Sequence, residues 1–252
     1  MPDPTRFQGK VAIVTGAARG IGAACARRFA SEGGSVLCVD LLEEVKDFAA
    51  SIGGVGLCLS VAERGAGERI AQAALTAFGR IDILVNNAGV GGSKRLELSS
   101  DELIDRIIDI DLSAMLRVTR DVMAHMTRPG GRIVNVSSLF GLVGYPGTTA
   151  YSAAKGGVAH FTRQLAGELA PEGILVNAVA PGVVATSMTE DFLKNERYQR
   201  LMVQPTPVGR VGTPEEQAAV ICFLASDEAS FVAGAVIPTD GGYTAARHLP
   251  ND

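Results

Sequence analysis

The chain contains no tryptophan, and aromatic residues of all kinds make up only 5% of its 252 residues. Cysteine and histidine are also scarce. The cysteines are Cys25, Cys38, Cys58 and Cys222, and the histidines are His125, His160 and His248. Because the cysteines form no CxxC pair and the histidines stand apart, disulfide and zinc scaffolds are excluded. We expect four buried free thiols and no metal site.

Long apolar runs and basic clusters are missing as well. Although the mean hydropathy is +0.22, no stretch reaches the roughly 18 to 20 uncharged residues that cross a bilayer. The start of the chain, MPDPTRFQGK, has no apolar signal core. We therefore expect a soluble, cytoplasmic protein. The net charge is −4, which argues against a nucleic-acid partner because such binding draws on clustered lysine and arginine.

The sequence alternates short β-branched runs with longer helical patterns. Nearly continuous apolar runs at 11–14, 81–85 and 133–136 are typical of parallel strands that helices cover on both faces. We predict one α/β domain over residues 1–252, a doubly wound Rossmann-type fold with a mostly parallel seven-stranded sheet. The irregular stretch at about 183–212 is interpreted as a flap over the active site.

Two long helices are predicted in the second half of the chain. The first covers about 99–126 and the second about 150–169, while the last strand is expected near 235–238. The strand RIVNVSS and the loop FGLVGYPGTT lie between these helices. We therefore expect the second helix to begin beside the carboxyl end of that strand.

A glycine-rich turn, TGAARGIG, joins the first strand to the first helix. Gly16, Gly20 and Gly22 permit a sharp turn and a close approach of the backbone to a pyrophosphate. The helix N-terminus adds free N–H groups. The spacing is GxxxGxG rather than the generic GxGxxG, and a plain strand-to-helix turn is the alternative. We predict a dinucleotide site.

Asp40 ends the second strand about 20 residues after the glycines, where a carboxylate binds the adenosine ribose hydroxyls and repels a 2′-phosphate. This favours NAD over NADP. Arg19, within the glycine turn, argues the other way because a guanidinium pairs with phosphate. A solvated carboxylate at a strand end is the alternative interpretation of Asp40.

Tyr151 and Lys155 lie four residues apart and therefore share one helix face. A free tyrosine is a poor base because its pKa is near 10. A lysine ammonium about 4 Å away, at an effective dielectric near 20, stabilises a phenolate by about 4 kcal/mol. Ser138, at the carboxyl end of its strand, is placed to donate to a substrate oxygen beside Tyr151, with Ser137 as the competing candidate.

Together these motifs resemble the short-chain dehydrogenase/reductase family in its form of about 250 residues. The resemblance extends over nearly the whole chain and includes TGAARGIG at 15–22, NNAG at 86–89, YSAAK at 151–155 and DGG at 240–242. It implies that Ser138 orients the substrate oxygen and that Tyr151 exchanges its proton. Lys155 would tune Tyr151 and bind the nicotinamide ribose.

The resemblance also implies a cofactor site and an assembly. The implied cofactor contacts are Gly16, Arg19, Gly20, Ile21, Gly22, Asp40, Leu41, Ser60, Val61, Asn87, Ala88, Gly89, Tyr151, Lys155, Pro181, Gly182, Val184 and Thr186. Family members usually form tetramers through the two long helices, so a homotetramer is expected by analogy. The implied activity is NAD(H)-dependent interconversion of a secondary alcohol and a ketone.

Two positions depart from the family pattern. Asp111 stands where the family commonly has an asparagine that holds a water between Lys155 and solvent. We expect Asp111 to keep this proton relay as a catalytic residue, and the alternative is a simple helix carboxylate. Ser60 replaces an aspartate that accepts from the adenine amino group, and a hydroxyl can also accept.

The candidate substrate pocket is mostly apolar, although some of its residues could equally form the core of the flap. Its candidate lining consists of Leu139, Phe140, Val143, Tyr145, Met188, Phe192 and Met202. An apolar substrate follows, such as a cyclic alcohol, a sterol or a hydroxyacyl derivative. One alternative is a 3-oxoacyl-(acyl-carrier-protein) reductase. Asp40 and the negative net charge argue against it. A catalytically idle dinucleotide-binding protein is the other.

Overall fold

A computed structural model describes residues 3–246 of the chain. At its centre is a sheet of seven parallel strands: β1 Val11–Thr15, β2 Ser35–Asp40, β3 Val55–Cys58, β4 Ile83–Asn86, β5 Arg132–Val136, β6 Leu175–Pro181 and β7 Val236–Thr239. The strand order is β3-β2-β1-β4-β5-β6-β7. The order reverses between β1 and β4, and ligands of such sheets bind beyond the strand ends at this point. The predicted Rossmann-type fold is confirmed.

Helices cover both faces of the sheet. The α-helices are α1 Gly20–Ser31, α2 Val45–Ser51, α3 Ala66–Phe78, α4 Asp101–Ile108, α5 Met115–Met123, α6 Thr149–Leu169, α7 Glu190–Leu193, α8 Glu196–Tyr198 and α9 Pro214–Ala225. Short 3₁₀ turns lie at Leu96–Leu98, Leu139–Gly141, Ala170–Glu172 and Asp227–Ala229. The helix expected at 99–126 is divided into α4 and α5 by a π-helical turn, Asp109–Ala114. Such turns insert one extra residue into a helix and are frequent at functional sites.

Two apolar layers hold the helices against the sheet. Because strand side chains alternate, Ala12 and Val14 of β1 pack on the face covered by α1 and α9, where Phe29 is buried. Ile13 packs on the opposite face against α3, α5 and α6, with Val118 in the same cluster. Both faces of β1 are therefore inside the protein, which explains its continuous apolar sequence.

A buried polar network ties the central strands to α5 and α6. Asn86 Nδ2 donates to Thr119 Oγ1 and to Asn135 Oδ1, both at 2.9 Å. Asn135 Nδ2 in turn donates to Thr162 Oγ1 at 3.0 Å. All four side chains are buried, where an unsatisfied polar group costs about 1 to 3 kcal/mol. These bonds fix the position of α6 along β4 and β5.

The segment at 183–212 leaves the sheet and returns to almost the same point. Val184 and Gly212 form a parallel bridge, and the Ala185 N–H donates to Gly212 O at 2.9 Å. Between them lie α7, α8 and a π-helical turn, Gln199–Val203, so the stretch contains more regular structure than its sequence suggested. Met202 is completely buried and belongs to the core beneath this segment, whereas Phe192 is about half exposed.

The expectation that all four cysteines are buried free thiols holds for three of them. Cys25, Cys38 and Cys222 are buried free thiols, but Cys58 is partly exposed, so the expectation of four buried thiols is wrong at that residue. The physical reason is that Cys58 belongs to the edge strand β3.

Within residues 3–246, no helix is both long and apolar enough to cross a membrane.

Candidate active site

The glycine turn lies between β1 and α1, at the point where the strand order reverses. Gly16 has φ +66°, and a Cβ there would come within 2.8 Å of Asn87 Nδ2 and 2.9 Å of Ala88 Cα. A Cβ on Gly22 would overlap the Gly16 carbonyl oxygen. Side chains are therefore excluded at both positions. The turn presents bare backbone, which a pyrophosphate can approach closely.

The first turn of α1 supplies hydrogen-bond donors at the same place. The first hydrogen bond within this helix runs from the Ala23 N–H to Arg19 O, so the N–H groups that precede it have no helical partner. Ile21 packs against the core beside them. These donors and the positive end of the helix dipole suit an anion. The residues present therefore fit the phosphates of a dinucleotide.

The chain after β4 is bonded directly to the glycine turn. Thr15 Oγ1 accepts from the N–H groups of Asn87 at 3.0 Å and Ala88 at 3.1 Å. Asn87 Nδ2 donates to Thr15 O at 2.9 Å and Gly16 O at 3.1 Å. Val61 lies near this junction, in the lining of a small cavity with Thr15 and Ala88. The structure thus brings together two motifs whose hydrogen-bonded residues, Thr15 and Asn87, are 72 positions apart in the sequence.

Asp40 lies beside the glycine turn at the end of β2. Its Oδ2 accepts from the Ala18 N–H at 3.0 Å, and its Oδ1 accepts from the Leu42 N–H at 3.1 Å. The carboxylate is therefore oriented while each oxygen keeps a second lone pair for a ribose hydroxyl. Arg19 is exposed at the N-cap of α1, and Leu41 is 68% exposed.

Ser60 follows the end of β3, and the 182–186 segment follows the end of β6. Ser60 Oγ accepts from the Ala62 N–H at 3.3 Å. Gly182 is packed so tightly that a Cβ would come 2.7 Å from Asp240 Cα, and Val184 is buried. A Cβ added to Gly20 would contact the Thr186 methyl group at 3.4 Å, so the segment that follows Pro181 faces the glycine turn. A cavity of about 480 Å³ lies between them.

The two serines at the end of β5 have different partners. Ser137 Oγ donates to the Lys155 carbonyl at 2.8 Å and fixes α6 against the strand. Ser138 Oγ accepts from the Phe140 N–H at 3.2 Å, which leaves its own proton available to a further acceptor. Ser138 is therefore the better candidate for binding a substrate oxygen.

Lys155 is buried beside Tyr151. Its Nζ donates to the Val136 carbonyl at 3.1 Å and lies 3.4 Å from Asp111 Oδ1. The same nitrogen lies 5.7 Å from the centre of the Tyr151 ring. Gly89 borders the group, since a Cβ there would come 3.4 Å from Nζ. The ammonium is thus held in one place, close to the phenol that it would stabilise as a phenolate.

Asp111 lies on the π-helical turn, with its carboxylate fully enclosed. Oδ1 accepts from the Val90 N–H at 3.1 Å, whereas Oδ2 is buried with no hydrogen-bond partner among the described residues. Burial raises the pKa of the Asp111 carboxyl, and Lys155 and the Val90 N–H offset part of this rise. A Cβ on Gly89 would overlap Oδ1. An unpartnered buried oxygen next to Lys155 is suited to bind a water or hold a proton.

Two contacts of this centre could not be foreseen in the sequence. They are the Val136 carbonyl, which accepts from Lys155, and the Val90 N–H, which donates to Asp111. Every residue type offers the same backbone carbonyl, and every residue except proline offers the same N–H, so no sequence motif identifies these two contacts. Among residues 3–246, no three His, Cys, Asp or Glu side chains gather as metal ligands. His248, one of the three histidines considered from sequence, lies outside the described residues.

Comparison with known proteins places this arrangement in context. A family model described as Enoyl-(Acyl carrier protein) reductase matches residues 16–244. The 3-oxoacyl-(acyl-carrier-protein) reductase of Thermotoga maritima is 43% identical over 244 residues, which cover 94% of this chain and 98% of that protein. The cyclopentanol dehydrogenase of a Comamonas species is 41% identical over 247 residues, covering 95% and 99%.

A solved structure gives the same result for the fold. Levodione reductase superposes with a TM-score of 0.90 at 32% sequence identity, over 96% of this chain and all of that one. The family match covers the glycine turn and the segments that carry Ser138, Tyr151 and Lys155. The chain belongs to the short-chain dehydrogenase/reductase family, whose members are oxidoreductases that use nicotinamide dinucleotides.

Proposed function

We propose that the protein is an NAD(H)-dependent oxidoreductase that interconverts a secondary alcohol and a ketone, with Tyr151 as the acid/base. The observation that carries this proposal is the fixed position of Lys155 Nζ, between the Val136 carbonyl and Asp111 and next to the Tyr151 ring. Ser138 retains a free hydroxyl proton at the adjoining strand end. These groups supply a proton donor or acceptor and a hydrogen bond to one oxygen.

The cofactor and three side chains each have a separate role in the proposed reaction. The hydride is the contribution of the dinucleotide when it is bound. In ketone reduction, the Tyr151 hydroxyl gives its proton to the substrate oxygen while the Ser138 hydroxyl donates a hydrogen bond to the same atom. The Lys155 ammonium stabilises the phenolate left on Tyr151. Alcohol oxidation follows the same steps in reverse.

Asp111 is the proposed route by which this proton is replaced. Its Oδ1 approaches Lys155 Nζ, and its unpartnered Oδ2 is free to hold a proton or a water. Burial raises the pKa of the Asp111 carboxyl above its ordinary value, and this shift favours a role in proton exchange. We therefore assign Asp111 the relay role that an asparagine commonly has in the family.

The cofactor and assembly assignments complete the proposal. Asp40 and the glycine turn favour NAD, since a 2′-phosphate would meet the oriented carboxylate. The 183–212 segment is proposed as a flap over a pocket for an apolar substrate, within a single domain over 1–252. A cytoplasmic homotetramer is proposed by analogy with the family.

A second candidate is reduction of a 3-oxoacyl group on acyl carrier protein. The observation that favours it is the 43% identity with the Thermotoga maritima enzyme of that name. The net charge of −4 opposes it, because the acidic carrier needs a basic surface. Asp40 also opposes it if the reductant is NADPH.

We predict that Tyr151→Phe lowers kcat/KM by about 100- to 10,000-fold, the range of a lost general acid/base. The assay follows the absorbance of reduced nicotinamide with NAD and a panel of apolar secondary alcohols. NAD affinity, measured by calorimetry, should change little because the ring remains. A variant that keeps more than about a tenth of the activity would exclude Tyr151 as the acid/base. No turnover by wild type with any alcohol or ketone and either dinucleotide would favour an idle binding protein.

We predict that wild type prefers NAD to NADP and that Asp40→Asn reduces this preference by about tenfold or more. The amide preserves the size of the side chain but removes the charge that repels a 2′-phosphate. The ratio of kcat/KM values for the two cofactors measures the effect, which should appear mainly in the KM for NADP. Arg19→Ala tests the opposing guanidinium and should lower kcat/KM for NADP relative to wild type. An unchanged ratio in Asp40→Asn would contradict the assignment.

We predict that wild type loses stability relative to Asp111→Asn as the pH rises above 3.8 and through the raised folded-state pKa of Asp111. The folded-state pKa of Asp111 is raised above its ordinary value of 3.8. Stability from this carboxyl is therefore fully present below that value and is lost as the pH rises through the raised folded pKa. Urea unfolding of both proteins at several pH values measures the difference. Asp47→Asn, at an exposed carboxyl of α2, serves as the control, and a pH-independent difference for Asp111→Asn would refute the prediction.

A further inference from the structure

The segment that follows β6 borders the glycine turn. Thr186 faces this turn, since a Cβ added to Gly20 would lie 3.4 Å from the Thr186 methyl group. In the sheet, β6 lies next to β5, which leads into Ser138, whereas Asp40 ends β2 on the other side of β1. Thr186 therefore lies on the side of the reacting groups, away from the proposed adenosine end of the dinucleotide.

The hydroxyl of Thr189 is bonded backwards along this segment. Thr189 is the N-cap residue of α7, but its side chain makes no hydrogen bond to that helix. A threonine oxygen at an N-cap commonly accepts from an N–H group in the first turn of its helix. Here Thr189 Oγ1 is bonded to Val184 and Thr186 instead. The common capping bond is absent, and the hydroxyl holds the preceding turn.

The contacts of Thr189 Oγ1 use its proton and both of its lone pairs. It lies 2.5 Å from Val184 O and 3.1 Å from Thr186 O. Because carbonyl oxygens only accept, the proton of Thr189 points to this side. The same oxygen accepts from the Thr186 N–H at 3.1 Å and lies 3.3 Å from Thr186 Oγ1. Since the proton of Thr189 is already used, Thr186 is the donor in the hydroxyl pair.

The direction of the Thr186 proton decides what this residue offers to a ligand. A hydroxyl that donates its proton within the protein keeps only lone pairs for other partners, so Thr186 Oγ1 is an acceptor. The matching group on a ligand is a hydrogen-bond donor. At the reacting end of a nicotinamide dinucleotide, the amino group of the carboxamide is such a donor and carries no acceptor of its own.

We propose that Thr189 is a positioning residue for the cofactor. It fixes the turn at 184–186 and holds Thr186 as an acceptor for the amino group of the nicotinamide carboxamide. Thr189 acts through Thr186. This inference rests on the proposed function, because it uses a nicotinamide dinucleotide as the ligand and assigns Thr186 to its reacting end.

The test compares three ligands that share an ADP-ribose part. They are NAD, 3-acetylpyridine adenine dinucleotide, in which a methyl ketone replaces the carboxamide, and ADP-ribose, which lacks the ring. Calorimetry gives the Kd of each for wild type and for Thr189→Val, which keeps the shape of the side chain without the hydroxyl. We expect Thr189→Val to weaken NAD binding by about fivefold, as for one lost hydrogen bond. Binding of the other two should be unchanged, and ADP-ribose binding also shows that the variant is folded.

Further variants separate positioning from a general structural effect. Thr189→Ser keeps the hydroxyl and should retain the wild-type affinity for NAD. If Thr189 acts through Thr186, adding Thr189→Val to Thr186→Val should cause no further loss, because coupled residues are not additive. Thr206→Val is the matched control. It removes another threonine hydroxyl of the 183–212 segment, which donates to Met202 O at 2.9 Å, and should leave NAD affinity unchanged.

The possible outcomes distinguish this inference from the proposed function. An equal loss of affinity for NAD and for the acetylpyridine analogue, or no loss for NAD, would overturn the role of Thr189. The proposed function stands in that case if wild type oxidises a secondary alcohol with NAD. If wild type binds NAD but turns over no alcohol or ketone, the proposed function fails while the Kd values still decide the role of Thr189. If wild type does not bind NAD, both proposals fail.

Discussion

The buried ammonium of Lys155 is the group on which the arrangement of the site depends. A cation in the protein interior must be compensated, and here a backbone carbonyl of β5 and the carboxylate of Asp111 do so. These contacts fix the nitrogen beside Tyr151. Ser137 anchors the same residue through its carbonyl, so both the main chain and the side chain of Lys155 are tied to the end of β5.

The fold brings this group to the cofactor crevice. The buried network of Asn86, Thr119, Asn135 and Thr162 sets α6 against the central strands. Thr15 and Asn87 join the glycine turn to the end of β4 in the same region. Because all the strands are parallel, their carboxyl ends lie at one edge of the sheet. The candidate catalytic and dinucleotide-binding residues therefore meet there.

The sequence predicted the parts of this structure that depend on local patterns. Continuous apolar strands indicated the doubly wound sheet, and motif spacing indicated the glycine turn and the Tyr151–Lys155 helix face. Contacts between distant segments were not accessible. Asp111 could be aligned with the family asparagine, but its unpartnered oxygen depends on a π-helical turn that has no sequence signature.

Burial explains the remaining differences. Apolar composition alone suggested that Met202 and Phe192 could both line the pocket, yet Met202 is enclosed and Phe192 is half exposed. The same limit applies to Cys58, which resembles the buried cysteines in sequence but lies on the edge strand. The sequence shows which residues are apolar, and its periodicity indicates which side of a strand or helix they lie on. The packing of neighbouring segments decides which of these residues are exposed to water.

The central claim is that Lys155 makes Tyr151 an effective base. The most direct measurement is the pH dependence of kcat/KM for alcohol oxidation in wild type and in Lys155→Met, which keeps a side chain of similar length without the charge. Removing the cation should move the midpoint of the rise in activity to higher pH by about 1 to 3 pH units. A variant that is slower but has the same midpoint as wild type would show that Lys155 acts only in binding, and would contradict the account.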